Sequence, residues 1–101
     1  MEKYEVHLVI NNNRVELNPF VEQYLSKVSL GIVTSLKGIE YVRDIQITDK
    51  NGDIFIFVNG EEVSITPFPI KIISSTLRGL VSALKDVNQV ENLDVIVKIA
   101  K

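Results

Sequence analysis

Slid against itself by 48 positions without a gap, this chain lays residues 5 to 49 over residues 53 to 97. The identical pairs are Asn11/Asn59, Val15/Val63, Pro19/Pro67, Phe20/Phe68, Ser26/Ser74, Gly31/Gly79, Val33/Val81, Leu36/Leu84, Lys37/Lys85 and Val42/Val90. Average composition would match residues at ~6%, giving roughly three identities over such a length. The substitutions keep physical character as well: Val6/Ile54, Leu8/Ile56, Ile10/Val58, Leu25/Ile73, Ile32/Leu80, Ile45/Leu93 and Ile47/Val95 exchange one aliphatic side chain for another. Asn18/Thr66 exchanges one helix-capping residue for another. The pattern implies two copies of one unit, repeat 1 about 4–49 and repeat 2 about 53–99, in a single domain of residues 1–101. Two units of this length are too few for a solenoid.

Each unit reads as two strands, a helix and a strand. Tyr4 to Ile10 and Asp53 to Val58 are strands, "NNNR" and "NGEE" turn the chain, and Val15 to Leu17 and Val63 to Ile65 return as short strands. Asn and Gly suit those turns because they accept positive φ. Asn18 and Thr66 stand where helices begin, followed by Pro19 and Pro67, whose missing N–H would be unpaired at a first helical position. Val21, Leu25, Val28, Ile32, Leu36 and Ile39 advance by three or four, one stripe of a helical period, with Gly38 as terminator. In the second copy Ile73, Leu77, Leu80, Val81, Leu84 and Val87 continue the same stripe, although Pro69 and the β-branched "IKIISST" argue against helix locally. Val42 to Thr48 and Leu93 to Ile99 complete the units as strands, the first joined to the second copy by a turn at Asn51-Gly52.

The fold class that follows is α+β: an internal tandem duplication of a ββα-β unit forming a pseudo-two-fold single domain, with a mixed, mainly antiparallel sheet and two helices. "IFIFV" at Ile54 to Val58 and "VIV" at Val95 to Val97 are apolar at consecutive positions, which predicts strands covered on both faces. Either the helices cover opposite faces, or both cover one face and another subunit covers the second. Gly31 and Gly79 occupy equivalent mid-helix positions, where each costs up to ~1 kcal/mol relative to alanine. Their small-residue neighbours Ser35, Ser75 and Ala83 predict close packing, across the symmetry axis or between subunits.

Composition narrows the chemistry. The chain has no cysteine, one histidine and a net charge of -2. Disulfides and thiolate sites are thereby removed, a reducing compartment fits, and the cytoplasm is the expected location. No apolar run reaches the ~18 residues of a membrane span. His7 is the one imidazole, the side-chain type suited to acid–base chemistry near neutral pH, but its repeat counterpart is Phe55, which marks a packing position. The acids Glu61, Glu62, Asp49 and Asp53 fall in predicted turns, where carboxylates face water. No nucleophile elbow or phosphate-binding glycine loop occurs, so no catalytic residue, metal or cofactor is predicted.

Two surfaces could bind anions. Lys71, Arg78 and Lys85 are spaced by seven and form one stripe on the second helix, drifting ~20° per step and roughly 10 Å apart along the axis. Such a row suits nucleic acid or a phosphorylated ligand, though no aromatics interleave to stack bases. The helix starts near Asn18 and Thr66 offer unpaired N–H groups to an anion. The function expected from these features is a small non-enzymatic module that self-associates or binds a protein partner. Nucleic-acid or phosphorylated-ligand contact through the stripe is the alternative, and an enzyme with its site between the repeats is the weaker one.

Overall fold

The computed structural model of the chain describes residues 3–84 and 89–100. Eight elements follow in order: β1 (Lys3–Ile10), β2 (Asn13–Val15), α1 (Pro19–Thr34), β3 (Asp44–Lys50), β4 (Asp53–Val58), β5 (Glu61–Val63), α2 (Pro67–Ser82) and β6 (Asn92–Ala100). The protein is α+β, two helices laid on a six-stranded antiparallel sheet.

Turn chemistry sets the strand ends. Asn11 and Asn12 have φ of 49° and 67°, Asn51 and Gly52 have 52° and 95°, and Asn59 and Gly60 have 53° and 82°. Two residues with positive φ suffice for a hairpin whose twist matches its strands, so pairing resumes at once, with Ile10 opposite Asn13 and Val58 opposite Glu61. The short strands therefore begin two residues earlier than the hydrophobic pattern alone predicts.

The helix ends have equally local causes. Asn18 Oδ1 accepts the Val21 N–H at 2.9 Å and opens α1. Pro69 stands in the first turn of α2, where its missing N–H leaves no intrahelical bond unmade. At the other end, Thr34 Oγ1 donates to the Leu30 carbonyl at 2.7 Å and Ser35 Oγ to the Gly31 carbonyl at 2.6 Å. The Ser35 N–H still bonds the Gly31 carbonyl at 3.2 Å, while the Leu36 N–H turns to the Val33 carbonyl at 3.1 Å, a tighter bond on which the helix ends. The helix stops at Thr34, before Leu36, Gly38 and Ile39.

The strand order is β2-β1-β6-β3-β4-β5, and every pairing is antiparallel rather than mixed. Each helix returns its chain to the hairpin of the other half, so β6 lies between β1 and β3, and β3 between β6 and β4. The order is unchanged when β1, β2 and β3 exchange places with β4, β5 and β6. Ile47 pairs with Val95 at the middle of the sheet, two residues 48 apart in sequence. Across this centre Leu8, Val95, Ile47 and Ile56 stand in one row, each wholly buried.

Asn11 and Asn59 hold the halves to one another. Asn11 Oδ1 accepts the N–H groups of Glu91 and Asn92, and its amide donates to the Gln89 carbonyl. Asn59 does the same 48 residues later on the other side, accepting from Arg43 and Asp44 and donating to the Tyr41 carbonyl. Each hairpin turn thus fastens the loop that leads into the neighbouring half's last strand. Both asparagines adopt positive φ, a conformation most other side chains resist.

Both helices cover one face of the sheet. The buried strand residues Val6, Leu8, Ile10, Ile45, Ile47, Ile54, Ile56, Val58, Leu93, Val95 and Val97 are in register on that face, under Leu25, Val33, Ile73, Leu77 and Val81 from the helices. The molecule measures 36 × 35 × 18 Å, the thickness of two layers. On the second face Phe57 and Ile96 are half-buried and Phe55 is 42% exposed. The consecutive apolar residues that predicted double coverage have only one face covered within the chain.

Ser29 is wholly buried in α1 and its hydroxyl has no hydrogen-bond partner among the described residues. Leu77 fills the position 48 residues later. Burying an unsatisfied hydroxyl costs about 1–3 kcal/mol, so Ser29→Ala is expected to leave the urea-unfolding free energy unchanged or raise it by about 1 kcal/mol. A clear loss would mean that the hydroxyl is bonded in the folded protein.

Candidate functional site

A buried polar cluster joins β3 to α2. Asp49 continues the alternation of Ile45 and Ile47 and so points into the core, where it is fully buried. Its carboxylate accepts from Arg78 Nε at 2.9 Å and Arg78 Nη2 at 3.0 Å, from Ser74 Oγ at 2.6 Å and from the Gly52 N–H at 2.8 Å. Arg78 also donates to the carbonyls of Val90 and Glu91. Burial pushes the Asp49 carboxyl up, but the hydrogen bonds from Arg78, Ser74 and Gly52 and the guanidinium charge outweigh it and hold the group below the ordinary carboxylate range. The bond to Asp49 likewise raises Arg78, against the opposing effect of burial.

This corrects the expectation that Asp49 faces water from a turn. Its parity with Ile45 and Ile47 was the signal that placed it inside. Asp53, Glu61 and Glu62 are exposed, as expected of turn acids.

The cluster also tells what the basic stripe contains. Lys71 is exposed on α2, Arg78 is committed to Asp49 and two carbonyls, and Lys85 lies outside the described residues. Charge reversal at Arg78 would strike the fold before it reported on a ligand, so Lys71 is the stripe residue suited to a phosphate-binding test. At the helix starts, Asn18 spends its side-chain oxygen on Val21, while Thr66 makes no side-chain cap bond. Pro67 and Pro69 remove two donors from the start of α2.

His7 sits on the open sheet face, beside the first hairpin. Arg14 Nη2 donates to Nδ1 at 2.6 Å, and Nε2 faces Glu5 Oε1 at 3.0 Å. A guanidinium can only donate, so Nδ1 is the acceptor and Nε2 carries the proton toward Glu5. Both ring nitrogens are engaged. With Glu16, Leu17 and Glu22 these residues line a hollow of about 640 Å³, built entirely from residues 5 to 22. No group of three or more His, Cys, Asp or Glu among the described residues could hold a metal ion.

The outward face of the helix layer has a different character. Phe20 is 72% exposed, Phe68 76%, Tyr24 51% and Ile72 50%. Phe20 and Tyr24 stack with ring centroids 5.9 Å apart. The N-terminal half of α1 runs beside the C-terminal half of α2, and between them lies an apolar groove of about 460 Å³ lined by Val21, Tyr24, Val28, Leu80 and Leu84. Each sixteen-residue helix carries two charged residues, and Arg78 is spent on Asp49. Gly31 and Gly79 are both exposed, and a Cβ on either would meet no atom within 4 Å. Their equivalence is visible in sequence, but the close neighbour they predict is not found among the described residues.

No protein-family profile matches the chain, no curated protein is similar to it, and no solved structure resembles it. No helix among the described residues is long and apolar enough to cross a membrane.

Proposed function

We propose that this protein is a non-enzymatic docking module of the cytoplasm, a duplicated ββα-β unit folded as a pseudo-dimer, which self-associates or binds a protein partner through the outward face of its helices. The observation that carries this reading is the exposed set Phe20, Tyr24, Phe68 and Ile72 on the helices, of which Phe20 and Tyr24 line an apolar groove. Soluble chains rarely leave a contiguous apolar patch of more than a few hundred Å² without a use for it. The equivalence of residues 48 apart and the exchange symmetry of the strand order support the duplication. His7, engaged at both nitrogens, supplies no free base to a reaction.

A docking surface is surplus to the fold, and that can be measured. The double variant Phe20→Glu, Phe68→Glu is expected to keep its far-UV spectrum and a Tm within about 4 °C of the parent, since exposed substitutions cost little. The parent is expected to bind the apolar dye anilinonaphthalene sulfonate at neutral pH, and the double variant to lose that binding. A collapse in Tm would make these rings structural, and unchanged dye binding would place the sticky surface elsewhere.

A further inference from the structure

Resting on the docking reading, we infer that the occupant of the helix face is a second copy of this chain, laid helix layer against helix layer, with helices of opposite copies crossing over Gly31 and Gly79. The available area fits. Aromatic side chains offer 150–250 Å² each, so the exposed parts of Phe20, Phe68, Tyr24 and Ile72 amount to roughly 400–500 Å². The groove walls and the glycine backbones extend this toward the ~800 Å² that each partner buries in a stable dimer.

The glycines supply the approach. Gly31 and Gly79 have no neighbour that requires the lack of a side chain, yet both interrupt exposed helix surface where alanine would fit. An opposing helix laid across them would find backbone instead of side chain and could pack closely. Exposed Ser75, Ser82 and Ala83 keep the surroundings of Gly79 low, and Thr34 and Ser35 do the same on one side of Gly31, with exposed Lys27 one turn before it.

The face also repeats itself. Phe20 and Phe68, Tyr24 and Ile72, and Gly31 and Gly79 are offset by 48 residues on antiparallel helices, so each feature occurs twice about the centre of the layer. A copy of the same chain presents the matching repetition, and an isologous contact between two such faces would form each interaction more than once. Charge does not oppose the contact, because Glu22, Lys27 and Lys71 are the charged residues the helices leave unpaired among the described residues. The open sheet face is the poorer candidate. It carries Glu5, His7, Asp44, Gln46 and Lys98 and has the Thr48–Asp94 hydrogen bond near its middle; of its apolar residues Phe55 is exposed while Val9, Phe57 and Ile96 are half-buried.

Sedimentation velocity on the full chain tests this. A reversible dimer should be populated by about 100 μM. Gly31→Leu with Gly79→Leu should keep the far-UV spectrum, because the new side chains point into open space, and weaken dimerisation at least about tenfold by overpacking the crossing. Phe55→Lys on the sheet face should leave dimerisation unchanged. A parent that stays monomeric overturns the second copy as occupant while the dye and Tm results continue to bear on the docking reading. A dimer insensitive to the leucines and lost with Phe55→Lys overturns the inference and the helix-face reading together. Should the leucines unfold the chain, Gly31→Cys with Gly79→Cys replaces them in this cysteine-free protein. Oxidation should then trap a disulfide-linked dimer, and a product that remains monomeric overturns the crossing.

Discussion

Asp49→Val should remove about 3 kcal/mol of stability, and Arg78→Leu a similar amount, whereas the two together should cost far less than their sum. Removing the carboxylate leaves Arg78, Ser74 and the Gly52 N–H without their shared acceptor. Removing the guanidinium leaves a fully buried anion held by Ser74 and Gly52 alone, and frees the loop carbonyls of Val90 and Glu91. Breaking one side of a buried pair costs about 3–5 kcal/mol, and the partial exposure of Arg78 sets the figure at the lower end. For a domain of this size that is a fall in Tm of about 12 to 24 °C.

The double variant has a template inside the same chain. The positions corresponding to Asp49, Arg78 and Ser74 in the other half are Val97, Leu30 and Ser26, with Val97 buried and Leu30 packed against the core. Asp49→Val with Arg78→Leu therefore copies a solution the fold already contains. Chemical denaturation of the four proteins gives the coupling directly. Additive losses would show that the ion pair is not what holds α2 to β3.

The same pair sets an acid sensitivity. Because the Asp49 carboxyl is held below its ordinary value, the unfolded chain binds a proton that the folded chain refuses as pH falls below about 4. The contribution is whole above that value and is lost as pH drops through the depressed folded value. The parent should therefore lose stability more steeply than the double variant below about pH 4. Equal slopes would assign the acid sensitivity to other carboxylates.

Leu77→Ala should cost about 3 kcal/mol, the second large effect. Leu77 is wholly buried between α2 and the sheet and belongs to the core that includes Ile56 and Val81. Truncating a buried leucine loses its transfer free energy and leaves a cavity, with measured costs of 2–5 kcal/mol in such settings. Its counterpart Ser29 already has a small side chain, so the two halves of the core are not equally filled. Equilibrium unfolding in urea reads the loss, and a change below about 1 kcal/mol would mean that the layer collapses onto the missing atoms.

Much of the architecture is local and was legible. Alternating aliphatics specify strands, the three- and four-residue spacing specifies helices, and Asn and Gly at Asn11, Asn51, Gly52, Asn59 and Gly60 specify the turns, because each depends on residues a few positions apart. The early end of α1 was not legible, since the Leu36 N–H bonds the Val33 carbonyl in a tighter turn and Leu36 and Ile39 pack on the core from outside the helix, which their helical spacing does not reveal.

What the sequence by itself determined is the list of elements, their spacing by 48 and the charge-poor helices. Only the tertiary structure decided that both helices share one face, that the sheet is wholly antiparallel, and that each half's last strand enters the other half's hairpin. It also turned Arg78 from a candidate ligand contact into the partner of an aspartate 29 residues away. The physical reason is range. Secondary structure answers to neighbours along the chain, whereas burial of Asp49 and exposure of Phe20 and Phe68 depend on which layers meet in space.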